Sequence, residues 1–114
     1  MKGENISMKL KCGQLLGAVP VLQKLVAQPL HLKQAYQLSK IAKKADEELA
    51  FFRSKHEAIM NSGDKEAEKI KMVNELLSFE IDWAIDPLVL SVNDNIELSA
   101  QDLANSEGLI EISE

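Results

Sequence analysis

Eight positions constrain this chain more than any others. Ala35, Leu38, Ala42, Ala45, Leu49, Phe52, His56 and Ile59 follow one another at intervals of three and four. That spacing returns side chains to one side of an α-helix, and it predicts a single long helix over residues 29–60. Lys40, Lys43, Lys44, Glu47, Glu48, Arg53 and Lys55 mostly take the remaining surface. Three stripe positions are alanine, which lets another helix approach closely while contributing little apolar area. The expected partner is the preceding segment, folded back as an antiparallel hairpin around Gln28 and Pro29. A second chain is the competing partner. Phe51 lies about 100° from Phe52 around the helix and widens the stripe, so it covers a third helix or marks an oligomer surface.

The flanking segments read less regularly. Leu15, Leu16, Val19, Leu22, Leu25 and Val26 make a first apolar helical face, which Gly17 and Pro20 should weaken or bend. Asn61, Ser62, Gly63 and Asp64 form a stop and turn. Residues 65–78 then predict a third helix with Ile70, Val73, Leu76 and Leu77 on its buried side. From Phe79 the period changes to two: Phe79, Ile81, Trp83 and Ile85 alternate with polar or small residues, as in a strand. Pro87 interrupts the run, and Leu88, Leu90 and Val92 continue it on the other parity. Asn93, Asp94 and Asn95 make a turn, and Ile96 and Leu98 a brief extended piece. Ser99 is a helix cap with Asp102 at the reciprocal position, and Gly108 breaks that short helix. Leu109, Ile110 and Ile112 suggest a last strand. At the other end, Ile6, Met8 and Leu10 alternate with polar residues, so a short strand is an option there. Residues 1–7 read as a flexible leader, with Met8 as an alternative start.

The expected fold is therefore α+β and a single domain over residues 1–114. Residues 8–78 are mainly helical: an antiparallel helical hairpin with a long second helix, then a third helix. Residues 79–114 form an acidic, strand-rich tail with a small C-terminal antiparallel β element packed on the helices. An almost all-helical fold survives if the strands are only extended segments.

With 114 residues and 46% hydrophobic content, the chain has material for one core. Its single cysteine, Cys12, excludes an intramolecular disulfide. No apolar run approaches the ~20 residues of a membrane span. The reading is an intracellular, cytoplasmic domain.

The formal charge of -5 is sorted along the chain. Residues 1–45 hold eight lysines and one acid, residues 46–79 eight acids and five bases, and residues 80–114 nine acids and no Lys, Arg or His. Either the basic first part packs beside the acidic last part, or the two ends face different partners.

Signature motifs for nucleotide binding, zinc proteolysis, calcium loops and nucleophile elbows are missing from the sequence. Cys12 follows Lys11 and could gain reactivity at a helix N-terminus, although a buried thiol is the simpler reading. His31 and His56 are 25 positions apart on one predicted helix, so they cannot share a site within it. Glu80, Asp82 and Asp86 invite a metal or acid–base reading, but their spacing is that of an ordinary solvated strand face. Lys33, Lys40 and Lys44 fall on one helical flank that nucleic-acid phosphates could use. The sequence assigns no catalytic, cofactor-binding or metal-binding residue. The candidate interaction surface comprises Lys33, Lys40, Lys44, Leu49, Phe51, Phe52, His56 and Trp83.

Several stretches resemble a family of small proteins encoded by bacteriophages and prophages. They are MKLK at 8–11, VLQKLV at 21–26, PLHLKQAYQLSKIAKKADEELAFFRSKHEAI at 29–59, NELLSFEIDWAIDPLVLS at 74–91 and ELSAQDLANSEGLIEI at 97–112. The resemblance implies a phage-associated setting, the bacterial cytoplasm, and a helical hairpin followed by a small sheet-forming tail. It carries no activity and no functional residues. The favoured expectation is a small non-enzymatic interaction protein acting in assembly or regulation, as a homo-oligomer or with a phage or host protein. The alternatives are a nucleic-acid-binding accessory protein using the lysine flank and a small metal-dependent enzyme on the acidic strand. No membrane role is expected.

Overall fold

The computed structural model describes residues 8–113, so the leader expected at residues 1–7 lies outside the described residues. In chain order the elements are β1 (Met8–Lys11), α1 (Cys12–Val26), α2 (Leu32–Met60), α3 (Glu66–Leu77), β2 (Glu80–Trp83), β3 (Leu88–Ser91), α4 (Ala100–Asn105) and β4 (Ile110–Ser113).

Both long helices start with the same device. The Gln14 side chain accepts from the Lys11 backbone N–H at 2.8 Å, and Gln34 accepts from that of His31 at 3.1 Å. Each glutamine thus serves an amide that would otherwise be unpaired at the helix start. α1 runs unbroken through Pro20, which sits on an exposed side and removes one rung without ending the helix. Residues 27–31 then fold the chain back, with Gln28 N–H donating to the Leu25 carbonyl.

The core lies between the two helices and under the strands. Leu15, Ala18, Leu22 and Leu25 of α1 are buried with Leu38, Ile41, Ala45, Leu49 and Phe52 of α2. The buried line on α2 is shifted from the eight-position stripe. Ile41, outside the stripe, is wholly buried, whereas Ala35 within it is exposed. A straight helix advances 3.6 residues per turn, so a strict 3-4 stripe drifts around it and leaves the contact face towards its ends.

α3 departs further from expectation. None of its residues is buried: Val73, Leu76 and Leu77 are half-covered and Ile70 is 55% exposed. It packs mainly on α2, with Leu77 at its end also reaching Gly13 of α1, so its apolar side is covered only in part.

The strands form two separate two-stranded sheets. β1 pairs antiparallel with β2, placing Met8 opposite Trp83 and Leu10 opposite Ile81. Ile81 and Trp83 point into the core, as their alternation requires. The second sheet corrects the expected antiparallel C-terminal element: β3 and β4 are parallel, with Leu88 opposite Ile110 and Leu90 opposite Ile112. The reason lies in residues 92–109. The turn at Asn93 and Asp94 does not lead into a hairpin, because the Gln28 side chain captures the next stretch. Its amide donates to the Glu97 carbonyl at 3.1 Å and accepts from the Glu97 N–H at 3.0 Å. The chain then crosses over through α4 and comes back beside β3 in the same direction, as a parallel pair requires. Gly108, at φ 89°, makes the sharp approach to β4.

Candidate interaction surfaces

Charge sorting along the sequence becomes pairing in space. Lys9 Nζ lies 2.8 Å from Asp82 Oδ1, Lys24 Nζ 2.7 Å from Asp102 Oδ2, and His31 Nε2 3.7 Å from Asp94 Oδ1. Each contact joins the lysine-rich first part to the base-free last part. The Lys9–Asp82 pair is open to solvent and contributes little. Asp102 is better placed, with its side chain only 11% exposed. Three carboxyls are held below the ordinary carboxylate range. Asp82 is lowered by the hydrogen bond from Lys9, Asp94 by the Ser91 backbone N–H and the Gln34 amide, and Asp102 by Lys24 and then the Ser99 N–H.

The residues with chemical potential are dispersed. Cys12 opens α1 but is buried, and burial pushes its thiol up rather than down, against the activation that a helix N-terminus offers. Asp82 is engaged by Lys9, and Asp86 lies beyond the end of β2, so the acidic strand residues do not converge. Among the described residues no three His, Cys, Asp or Glu side chains cluster to hold a metal ion. His56 stacks on Phe52 at 5.5 Å between ring centroids, far along α2 from His31.

The eight surface candidates separate into three groups. Leu49, Phe52 and Trp83 lie in the core, Trp83 at 1% exposure. Phe51 is exposed at the distal end of α2, with His56 half-covered one turn further on. Lys33, Lys40 and Lys44 lie on the proximal half of α2, but not as a uniform cationic flank. Lys44 is held by Glu48 at 2.8 Å, and Lys40 sits 4.7 Å from the centroid of the Tyr36 ring.

Two clefts take in the exposed candidates Phe51, Lys33 and Lys40. The distal one is an apolar cleft of about 420 Å³ between α2 and α3, whose walls include Phe51, Ile59, Met72, Leu76 and Phe79. The Phe51 and Phe79 rings stand 5.6 Å apart, and Lys55 lies 5.7 Å from the Phe51 centroid. Phe51 and Phe79 in its walls are each about half exposed. Lys69 Nζ donates to the Met60 carbonyl and ties α3 to the end of α2. The expected buried face of α3 hid this surface, since the 3.6 period reports an apolar side without saying what covers it.

The proximal surface is a cleft of about 590 Å³ between the start of α2 and residues 86–89. Lys33, Tyr36 and Lys40 form one wall, and Pro87, Leu88 and Val89 the other. Gln34 and Gln37 donate to the Val89 and Asp86 carbonyls across its base. Tyr36 and Val89 carry no sequence signal for this role, because only the docking of β3 on α2 brings them together.

Among the described residues no helix is long and apolar enough to cross a membrane. Compared with known proteins, the chain matches no family model, no curated protein and no solved structure.

Proposed function

We propose that this chain is a small, non-enzymatic interaction protein that associates with a second copy of itself through the α2–α3 face. A role in phage or prophage assembly or regulation, in the cytoplasm of the bacterial host, rests on the sequence resemblance alone. The observation that carries the interaction reading is α3 itself: a twelve-residue amphipathic helix without a single buried residue. Helices of this length hold their shape through packing of the apolar face, and here Met72, Val73, Leu76 and Leu77 are only partly covered and Ile70 is exposed.

Charge favours a second copy as the occupant. The cleft is rimmed by Lys55 on one side and Asp64 and Glu75 on the other, so a twofold arrangement sets each sign against its opposite. The acid-rich β3–α4–β4 end contacts α2 near Gln34, about 39 Å from Met60 at 1.5 Å per residue. Pairing through the distal ends keeps the two acidic ends several screening lengths apart. The face is two helices wide and about 18 Å long along α3. That is at the low end for a stable interface and suits a reversible, micromolar dimer.

Sedimentation equilibrium tests the reading. A concentration-dependent dimer is expected, weakened about tenfold or more by Phe51→Glu, while Lys33→Glu leaves it unchanged. Far-UV circular dichroism reports whether the variants keep the fold, since both substitutions are at exposed positions. A monomer up to about millimolar protein rejects self-association through this face.

A further inference from the structure

We propose that the proximal cleft, between the first turns of α2 and residues 86–89, is a docking groove for an acidic, partly apolar peptide segment of another protein. Lys33 and Lys40 supply its charge. Both are exposed, and neither has a carboxylate within 4.0 Å among the described residues, unlike Lys9, Lys24 and Lys44. Seven residues of helix separate them, which is about 10 Å along the axis. Tyr36 stands between them, 63% exposed despite its size, and Val89 faces it at 47% exposure. The groove is therefore a short apolar trough with Lys33 towards one end and the Lys40 ammonium folded back to 4.7 Å from the Tyr36 ring centroid.

Its walls are fixed before anything binds. Gln37 Nε2 donates to the Asp86 carbonyl at 2.6 Å, and Gln34 Nε2 bonds both the Val89 carbonyl and Asp94 Oδ2, the latter at 2.9 Å. These bonds hold residues 86–89 against α2, so little ordering cost remains for binding.

The spacing specifies the occupant. An extended chain rises about 3.3 Å per residue, so acidic residues three apart span the same 10 Å as the backbone positions of the two lysines, whose long side chains cover the difference. The two residues between the acids then lie along the trough, against Val89 and the open part of Tyr36 beside Lys40. A nucleic acid fits less well: the trough offers one aromatic ring and two cations, too few for base stacking and backbone tracking, and Asp86 in its lining limits the occupant to a few negative charges.

The test is a ¹⁵N heteronuclear correlation titration with the blocked octapeptide Gly-Ser-Glu-Leu-Val-Glu-Ser-Gly. Parallel titrations use its analogue with both glutamates replaced by lysine, and a twelve-nucleotide oligothymidylate at the same salt. Shifts from the acidic peptide are expected at residues 33–40 and 86–90. Affinity should fall about five- to tenfold in the Lys33→Glu/Lys40→Glu double variant, in keeping with two exposed ion pairs. Tyr36→Ala should weaken binding while leaving the preference for the acidic peptide. Absence of shifts at several-millimolar peptide overturns the proposal. So do shifts confined to another surface, an equal response to the lysine analogue, or tighter binding of the oligonucleotide.

Discussion

Asp102 Oδ2 accepts from Lys24 Nζ at 2.7 Å and from the Ser99 backbone N–H at 3.0 Å. One carboxylate oxygen thus closes the cap of α4 and bolts that helix to α1. α4 is six residues long and has only one buried residue, Asp102 itself. Local capping and tertiary contact are here a single interaction.

Acid should undo this arrangement in a defined window. Asp82, Asp94 and Asp102 all have their carboxyls lowered from the ordinary 3.8, by Lys9, by the Ser91 N–H and by Lys24 respectively. A lowered folded-state value means that the unfolded chain takes up the proton first as pH falls. The stabilisation is complete above the unfolded value and is lost as pH drops through the folded one. Urea midpoints should therefore hold nearly level from about pH 7 to 5 and decline below about pH 4, with a shallower decline in Asp102→Asn. A midpoint unchanged down to about pH 2 would count against these pairings.

Ser99 provides the other half of the box, its hydroxyl accepting from the Asp102 N–H at 3.0 Å. Ser99→Ala should cost about 1 kcal/mol in chemical denaturation, and Ser99→Asn much less. Hydrogen exchange should locate the loss in α4 and the crossover, leaving the α1–α2 core as protected as before.

Gly108 is held at φ 89°, and a Cβ there would run into the Met8 side chain of β1. Gly108→Ala should destabilise the fold by about 1–3 kcal/mol, through backbone strain and the clash together. In a double-mutant cycle, Met8→Ala should relieve part of that loss and leave the strain. Strictly additive energies would show that the approach of β1 to Gly108 is not tight.

Two isoleucines should separate core from surface. Ile41, wholly buried, should cost about 2–5 kcal/mol on truncation to alanine. Ile70, 55% exposed on α3, should cost under about 1 kcal/mol in the dilute monomer. Comparable unfolding losses at the two sites would show that α3 is more deeply packed than its exposure indicates.

Periodicity carried the helical half of this fold. The stripe from Leu38 to Phe52 makes α2, with Ile41 joining the buried line because the contact face follows 3.6 rather than 3.5 residues per turn. Ser99 and Asp102 announced α4 by chemistry that operates within four residues. The alternation at Ile81 and Trp83, and again at Leu88 and Leu90, identified the inward faces of β2 and β3. The candidate surfaces were less legible. Phe51 and Lys33 stand out in the sequence, but the open side of α3 and the meeting of Tyr36 with Val89 depend on what packs where.

A strand pattern states which side chains turn inward and leaves the neighbour and direction open. Met8 meets Trp83, and β4 lies parallel to β3, because the Gln28 amide binds the Glu97 backbone and diverts the chain through α4. Charge order behaves in the same way. The sequence by itself determined that lysines come first and carboxylates last. Tertiary structure alone decided that Lys9 and Lys24 reach Asp82 and Asp102 while, among the described residues, Lys33 and Lys40 meet no carboxylate. Local rules act through bonds a few residues apart, whereas partner choice across 73 or 78 residues follows from the single way the core can close.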